Sequence, residues 1–241
     1  MSASDDKHGM SDPTQRFKVV VCTRGSRQQF FDRTATGRSL SLVGGSNTTV
    51  EVGCNVSTSL ADTYNPAIEA CRHEPAVLVF MHDDIHLCDA FWQLHMLEAL
   101  QRFDLVGLAG NKRRLPFQSG WPFTSDEMQW DEPQYLSGSV AHGLGWPPNG
   151  VTCFGPTRQE VKLLDGLMLV AHSQTLIDHD IRFDPSLGFH LYDLDLCRQF
   201  EAKGLKIGTW DISAIHESEA GDYASASWKR SRNRYFKKWG D

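Results

Sequence analysis

The chain has no Cys-x-x-Cys pair; its six cysteines, at positions 22, 54, 71, 88, 153 and 197, are scattered through 241 residues. Neither a zinc site nor a disulfide framework is indicated, and a reducing cytoplasm is the expected compartment. No apolar run is long enough to span a bilayer, and the first thirteen residues lack the apolar stretch of a signal peptide. Residues 1–15 read as a disordered polar tail ahead of one domain over 16–241, because no linker-like stretch divides the remainder. A glycine-rich phosphate loop is also missing. Thr23-Arg24-Gly25-Ser26-Arg27, after the first apolar segment, is only a feeble version of one. Nor is there a general basic excess. The net charge of −6 argues against nucleic acid as a partner. Hydrophobic residues at 40% and charged ones at 22% are ordinary for a globular protein.

What positive charge there is collects at one end. Trp228–Lys238 holds six Lys or Arg, leaving 18 basic against 29 acidic side chains over residues 1–227. Trp228, Tyr235, Phe236 and Trp239 interleave with those cations. A basic aromatic segment over 222–241 suits closure over a pyrophosphate or, through 228–239, peripheral contact with the inner face of a membrane. A terminal helix packed on the domain by its aromatics is the alternative.

The most informative stretch is Val77-Leu-Val-Phe-Met-His82-Asp83-Asp84-Ile-His86-Leu. An apolar run that stops at a polar turn reads as a buried strand. Ligands of open α/β sheets gather at the carboxyl ends of such strands. Two adjacent carboxylates repel, and a bound cation is one way to relieve that repulsion. An acidic turn or a helix cap explains the pair equally simply.

Around this stretch the elements alternate. Phe17–Cys22, Val50–Cys54, Ala76–Met81 and Asp104–Leu108 read as strands; 27–40, Leu60–Arg72 and Ala90–Phe103 read as helices, with Gly37 weakening the first. The order predicts an α/β fold with a mostly parallel, twisted sheet covered by helices and a Rossmann-like nucleotide-binding half. Residues 110–160, rich in Gly, Pro and Trp and without periodicity, read as acceptor-side loops with a small hairpin. Later come Asp165-Gly166 after an apolar run, then Tyr192-Asp193-Leu-Asp195-Leu-Cys-Arg198, then Ile215-His216.

In this order the segments resemble the inverting, nucleotide-sugar-dependent glycosyltransferases of the GT-A fold, the family-2 group and its compact bacterial relatives. Phe80-Met-His82-Asp83-Asp84-Ile lies over that group's aspartate-x-aspartate element, with His82 in place of the first acid. Tyr192-Asp193-Leu-Asp195-Leu-Cys-Arg198 lies over its Glu-Asp-x-Asp-Leu-x-x-Arg helix start, with Tyr192 in place of the Glu. His216 matches its metal-binding histidine, and Ala61-Asp-Thr-Tyr64-Asn65-Pro resembles the helix before the metal strand.

The resemblance implies a donor nucleotide sugar, UDP-linked by expectation, with Mn2+ or Mg2+ as cofactor. It implies a carbohydrate, lipid-linked or small-molecule acceptor. Asp84 and His216 become the metal ligands. Thr23, Arg24, Asn55, Asn65, His82, Asp83, Asp165 and Gly166 become donor contacts. Asp193 becomes the base that takes the acceptor proton, kept ionised by its place at a helix start. Asp195, two residues on, faces away and takes a structural or capping role. Three rivals remain: a metal hydrolase using His82, Asp83 and His86, a nucleotidyltransferase, and a non-catalytic sugar- or nucleotide-binding module of the same fold.

Overall fold

The computed structural model describes residues 15–217, 223 and 225–240. The expected tail over 1–15 thus lies, but for Gln15, outside the described residues. In chain order the elements begin with β1 (Phe17–Cys22), α1 (Arg27–Arg33), α2 (Ala35–Val43), β2 (Thr48–Gly53), α3 (Ala61–Ala70) and β3 (Val77–Met81). Next come β4 (Ile85–Leu87), α4 (Trp92–Leu100), β5 (Leu105–Gly107), β6 (Ala109–Asn111), β7 (Leu136–His142) and β8 (Gly150–Gly155). The chain continues with β9 (Glu160–Val161), β10 (Leu163–Leu164), β11 (Met168–His172), α5 (Ser173–Asp178) and α6 (Tyr192–Ala202). It closes with β12 (Ile207–Thr209), β13 (Ala214–His216) and α7 (Ala226–Trp239).

Seven strands form the main sheet in the order β2-β1-β3-β11-β5-β12-β9, and β10-β6-β7-β13-β4 form a second sheet. All five residues of β3 are buried, as a strand covered on both faces requires. Helix α3 packs on β1 and β2, α4 on β5 and β11, and α6 on β10 and β12. The α/β architecture is therefore the expected one. Its parallel pairs are β2-β1, β1-β3 and β5-β12, whereas β11 enters antiparallel between β3 and β5 and β9 lies antiparallel to β12.

Two local departures from the sequence reading have clear causes. The helix expected over 27–40 is two helices, because Thr34 has an extended backbone and its hydroxyl accepts the Gly37 N–H at 3.1 Å, capping α2. Gly37 is there for closeness: a Cβ at that position would collide with the Phe30 carbonyl, so only glycine lets α2 meet α1. Residues 110–160 are also more regular than predicted. Strand β7 is central in the second sheet, and β7 with β8 forms the hairpin.

The topology converges on one edge. In parallel register, Val21 sits opposite Met81, so the segments Cys22-Thr23-Arg24 and His82-Asp83-Asp84 leave the sheet together. Met168 pairs with Met81, which brings the Asp165-Gly166 turn beside His82. His216 pairs with Ile85, which brings the end of β13 beside Asp84. Buried Thr36 of α2 locks the turn: its hydroxyl lies 2.6 Å from the His82 carbonyl and accepts the Ile85 N–H at 3.1 Å.

Candidate active site

His82, Asp84 and His216 meet at that edge, each offering one ligand atom, all within 4.8 Å of one another. His82 Nδ1 lies 3.7 Å from Asp84 Oδ1, and His216 Nε2 lies 3.3 Å from Asp84 Oδ2. Two imidazole nitrogens and a carboxylate make a donor set of the kind that holds a divalent cation. The sequence pairs Asp84 with His216 and treats His82 as a donor contact; the fold brings His82 into the cation cluster as well. The third member hid because it stands where the familiar pattern has an acid.

A cleft of about 440 Å³ opens beside the cluster, lined among others by Thr23, Arg24, Tyr64, His82, Asp83 and Asp84. Beyond Arg24 it continues into a space of about 470 Å³ edged by Asn55 and Ser57. Asn55 reaches this rim in a left-handed conformation, φ 54°, which asparagine tolerates better than most residues. In the other direction lies a recess of about 150 Å³ lined by Trp121, Asp165, Gly166 and Asp193. His82 and Phe189 are walls of both the main cleft and this recess. Asn65 is not brought to the cleft. Both ends of its amide are spent on Phe183, at 2.8 and 2.9 Å, clamping α3 to the segment before α6.

Asp193 sits at the start of α6, half-buried, where its two oxygens accept the Gly166 N–H at 3.1 Å and the Leu194 N–H at 2.9 Å. Burial first, and then the neighbouring Asp165 carboxylate, push its carboxyl up to about 7. The helix start and the two hydrogen bonds favour the ionised form, while burial and a like charge oppose it. Asp165 is held differently, accepting the Trp121 indole N–H and, at 2.9 Å, the Leu167 N–H. Gly166 permits close packing here as well, since a Cβ would run into the Tyr192 hydroxyl.

Tyr192 is buried, and desolvation holds its phenol well above the usual range, so it remains an O–H. Its hydroxyl lies 3.1 Å from the Gly166 carbonyl and 2.8 Å from His82 Nε2. Asp195 is fully buried and accepts Trp239 Nε1–H at 2.8 Å and Lys238 Nζ–H at 3.0 Å. Helix α7 is thereby tied to the body, with Trp228 and Tyr235 buried and Phe236 edge-on to Phe117. The aromatics of the C-terminal segment thus face inward. Among the described residues no helix is long and apolar enough to cross a membrane.

A family model described as "Glycosyltransferase like family" matches residues 20–239. The chain belongs to that family. No curated protein matches it. Among solved structures, GalNAc-T7 with UDP, GalNAc and Mn2+ aligns at TM-score 0.52 and 8% identity. The alignment covers 94% of this chain and 48% of the GalNAc-T7 chain, so this chain spans about half the length of that neighbour. A197 from STIV aligns at TM-score 0.48 and 10% identity over 85% of this chain and 87% of its own. The fold is the GT-A fold, and the protein is a glycosyltransferase-family domain.

Proposed function

We propose that the protein moves a sugar from a nucleotide-sugar donor to an acceptor hydroxyl, with inversion at the anomeric carbon, and that it depends on a divalent cation. One observation carries this reading. The cleft with the cation cluster and the recess with Asp193 share His82 and Phe189 as walls, so a leaving diphosphate and an attacking hydroxyl can be served from adjoining pockets. His82, Asp84 and His216 would hold the ion, their imidazoles favouring Mn2+ over Mg2+. When bound, such an ion neutralises charge that develops on a departing diphosphate.

Thr23, Arg24 and Asn55 line the part of the cleft that suits the nucleoside, and Asp83 lines the same cleft beside the cation cluster. Uridine is the base we favour, since the GalNAc-T7 structure contains UDP and Mn2+. Asp165 and Gly166 border the sugar, and Asp193 takes the acceptor proton. A carboxyl near 7 suits that task, because a base whose affinity for protons matches the working pH is both deprotonated and strong enough to accept. Asp165 and Asp193 each accept two N–H bonds; the raised carboxyl of Asp193 is what singles it out as the base, and a single base favours direct displacement. The acceptor is a carbohydrate, lipid-linked or small-molecule hydroxyl, reached on the cytoplasmic side.

The hydrolase rival loses its histidine: His86 Nε2 pairs with Glu217 at 2.8 Å and is outside the cation cluster. Incubation with UDP-sugars, Mn2+ and a panel of acceptors, followed by NMR of the anomeric proton, tests the reading. A product of opposite anomeric configuration and free UDP are expected. Free pyrophosphate would identify a nucleotidyltransferase. Binding with no turnover across the panel would identify a non-catalytic module.

A further inference from the structure

The two positions at which the sequence departs from the pattern it resembles, His82 and Tyr192, are 110 residues apart and touch: His82 Nε2 lies 2.8 Å from the Tyr192 hydroxyl. The hydroxyl has a single proton, and the buried Gly166 carbonyl, 3.1 Å away, needs one. Both contacts are satisfied together in only one way. Tyr192 donates to Gly166 and accepts from His82, so the His82 proton sits on Nε2. The opposite arrangement would leave a buried carbonyl bare, which costs more than a hydrogen bond gains.

In the neutral imidazole the other ring nitrogen then has no proton. His82 Nδ1 faces Asp84 Oδ1 at 3.7 Å, too far for a hydrogen bond and close enough for both atoms to share one ion. We infer that Tyr192 is a positioning residue that fixes His82 as the Nε2–H tautomer and thereby makes His82 a third, permanently prepared cation ligand. The inference rests on the cation reading of the site above and deepens it. Histidines that bind metals commonly donate their second ring N–H to a partner that sets tautomer and orientation. Here that partner is a phenol in place of the usual carboxylate or carbonyl. It adds no negative charge next to Asp193 and Asp165, where a carboxylate would add a third.

Gly166 extends the device. Its carbonyl receives the Tyr192 proton while its N–H holds Asp193, so one residue steadies both the cation ligand and the base. Only glycine fits, because a Cβ would displace the Tyr192 hydroxyl.

The test reads tautomer and metal affinity, neither of which requires turnover. Long-range 15N–1H NMR on labelled, metal-free protein at pH 8 should show His82 as the Nε2–H tautomer, assigned by loss of the signal in His82→Asn. Tyr192→Phe should give a tautomer mixture and, by calorimetry with Mn2+ alone, roughly 10- to 100-fold weaker binding, the usual cost of losing such a partner. Gly166→Ala, which displaces the hydroxyl without removing it, should weaken Mn2+ binding in the same direction. An Nδ1–H tautomer in the unaltered protein, or a Tyr192→Phe protein that binds Mn2+ as tightly as the unaltered one, would overturn the role given to Tyr192. Absence of Mn2+ binding to the unaltered protein would instead overturn the cation reading on which it rests.

Discussion

Residues 17–108 and residues 109–217 build the two ends of one cleft by different means. The first half runs strand, helix, strand, and β1, β2 and β3 are five or six residues long in parallel register. The second half has several strands of two or three residues, each paired to a distant partner: β12 to β5, β13 to β4, β10 to β6. Regular local structure in the first half supplies His82, Asp83 and Asp84 on a turn locked by Thr36. Borrowed pairings in the second half deliver His216, Asp165 and Asp193 to the same place. The cation cluster is therefore a seam, and neither half holds a complete site.

If the halves divide the chemistry as they divide the structure, substitutions should separate binding from turnover. The largest effect belongs to the second half. Asp193→Asn should lower turnover by roughly 10²–10⁴-fold while leaving donor affinity nearly unchanged, as read by steady-state kinetics and calorimetry. Near-normal turnover would reduce Asp193 to a helix-start residue and leave the base unassigned.

Next in size is the tie that holds α7. Asp195→Ala would take the buried acceptor from the Trp239 indole N–H and leave the Lys238 ammonium with Asp184 alone, at 2.9 Å. Losing that acceptor costs about 1–3 kcal/mol, which for a chain of this size lowers the melting temperature by about 5 °C. A calorimetric melt checks this. A change of a degree or two would show that α7 is held by its aromatics alone.

Smaller again is the pH effect. With the Asp193 carboxyl at about 7, kcat should fall about tenfold per pH unit below that value and level off above it. The sign for stability is opposite. The folded state binds this proton more tightly than the unfolded chain, so the stability it contributes is present at low pH and lost as pH rises through about 7. Asp193→Asn should accordingly gain melting temperature relative to the unaltered protein between pH 5 and pH 8. A flat kcat profile across that range would contradict both expectations.

The smallest effect lies in the first half. Thr34→Ala removes the cap of α2 and should cost about 1 kcal/mol with turnover unchanged. A large loss of turnover would mean that the α1–α2 break shapes the site more directly than its distance along the chain implies.

The contrast between halves also explains what could be read in advance. Phe17–Cys22 and Val77–Met81 are visible as strands because burial on both faces makes them continuous apolar runs. Asp84, His216 and Asp193 were legible as candidates through motif order. Their meeting was not, because it depends on pairings such as His216 with Ile85, across 131 residues. The entry of β11 between β3 and β5 left no local trace, since its apolar run Met168–Ala171 looks alike in either direction. His82 was visible, but its partner was not: nothing local links it to Tyr192. Likewise the raised carboxyl of Asp193 comes first from its burial and then from Asp165, a neighbour in space contributed by a different turn, and neither is visible locally.

The central claim is that a nucleoside diphosphate binds at the seam through a divalent ion held by His82, Asp84 and His216. Calorimetric titration of UDP into the protein, with Mn2+ and with a chelator in its place, addresses it most directly, alongside Asp84→Asn. The account predicts tight binding with Mn2+ and binding weakened severely by either the chelator or the substitution. Equal UDP affinity in all three conditions would contradict it.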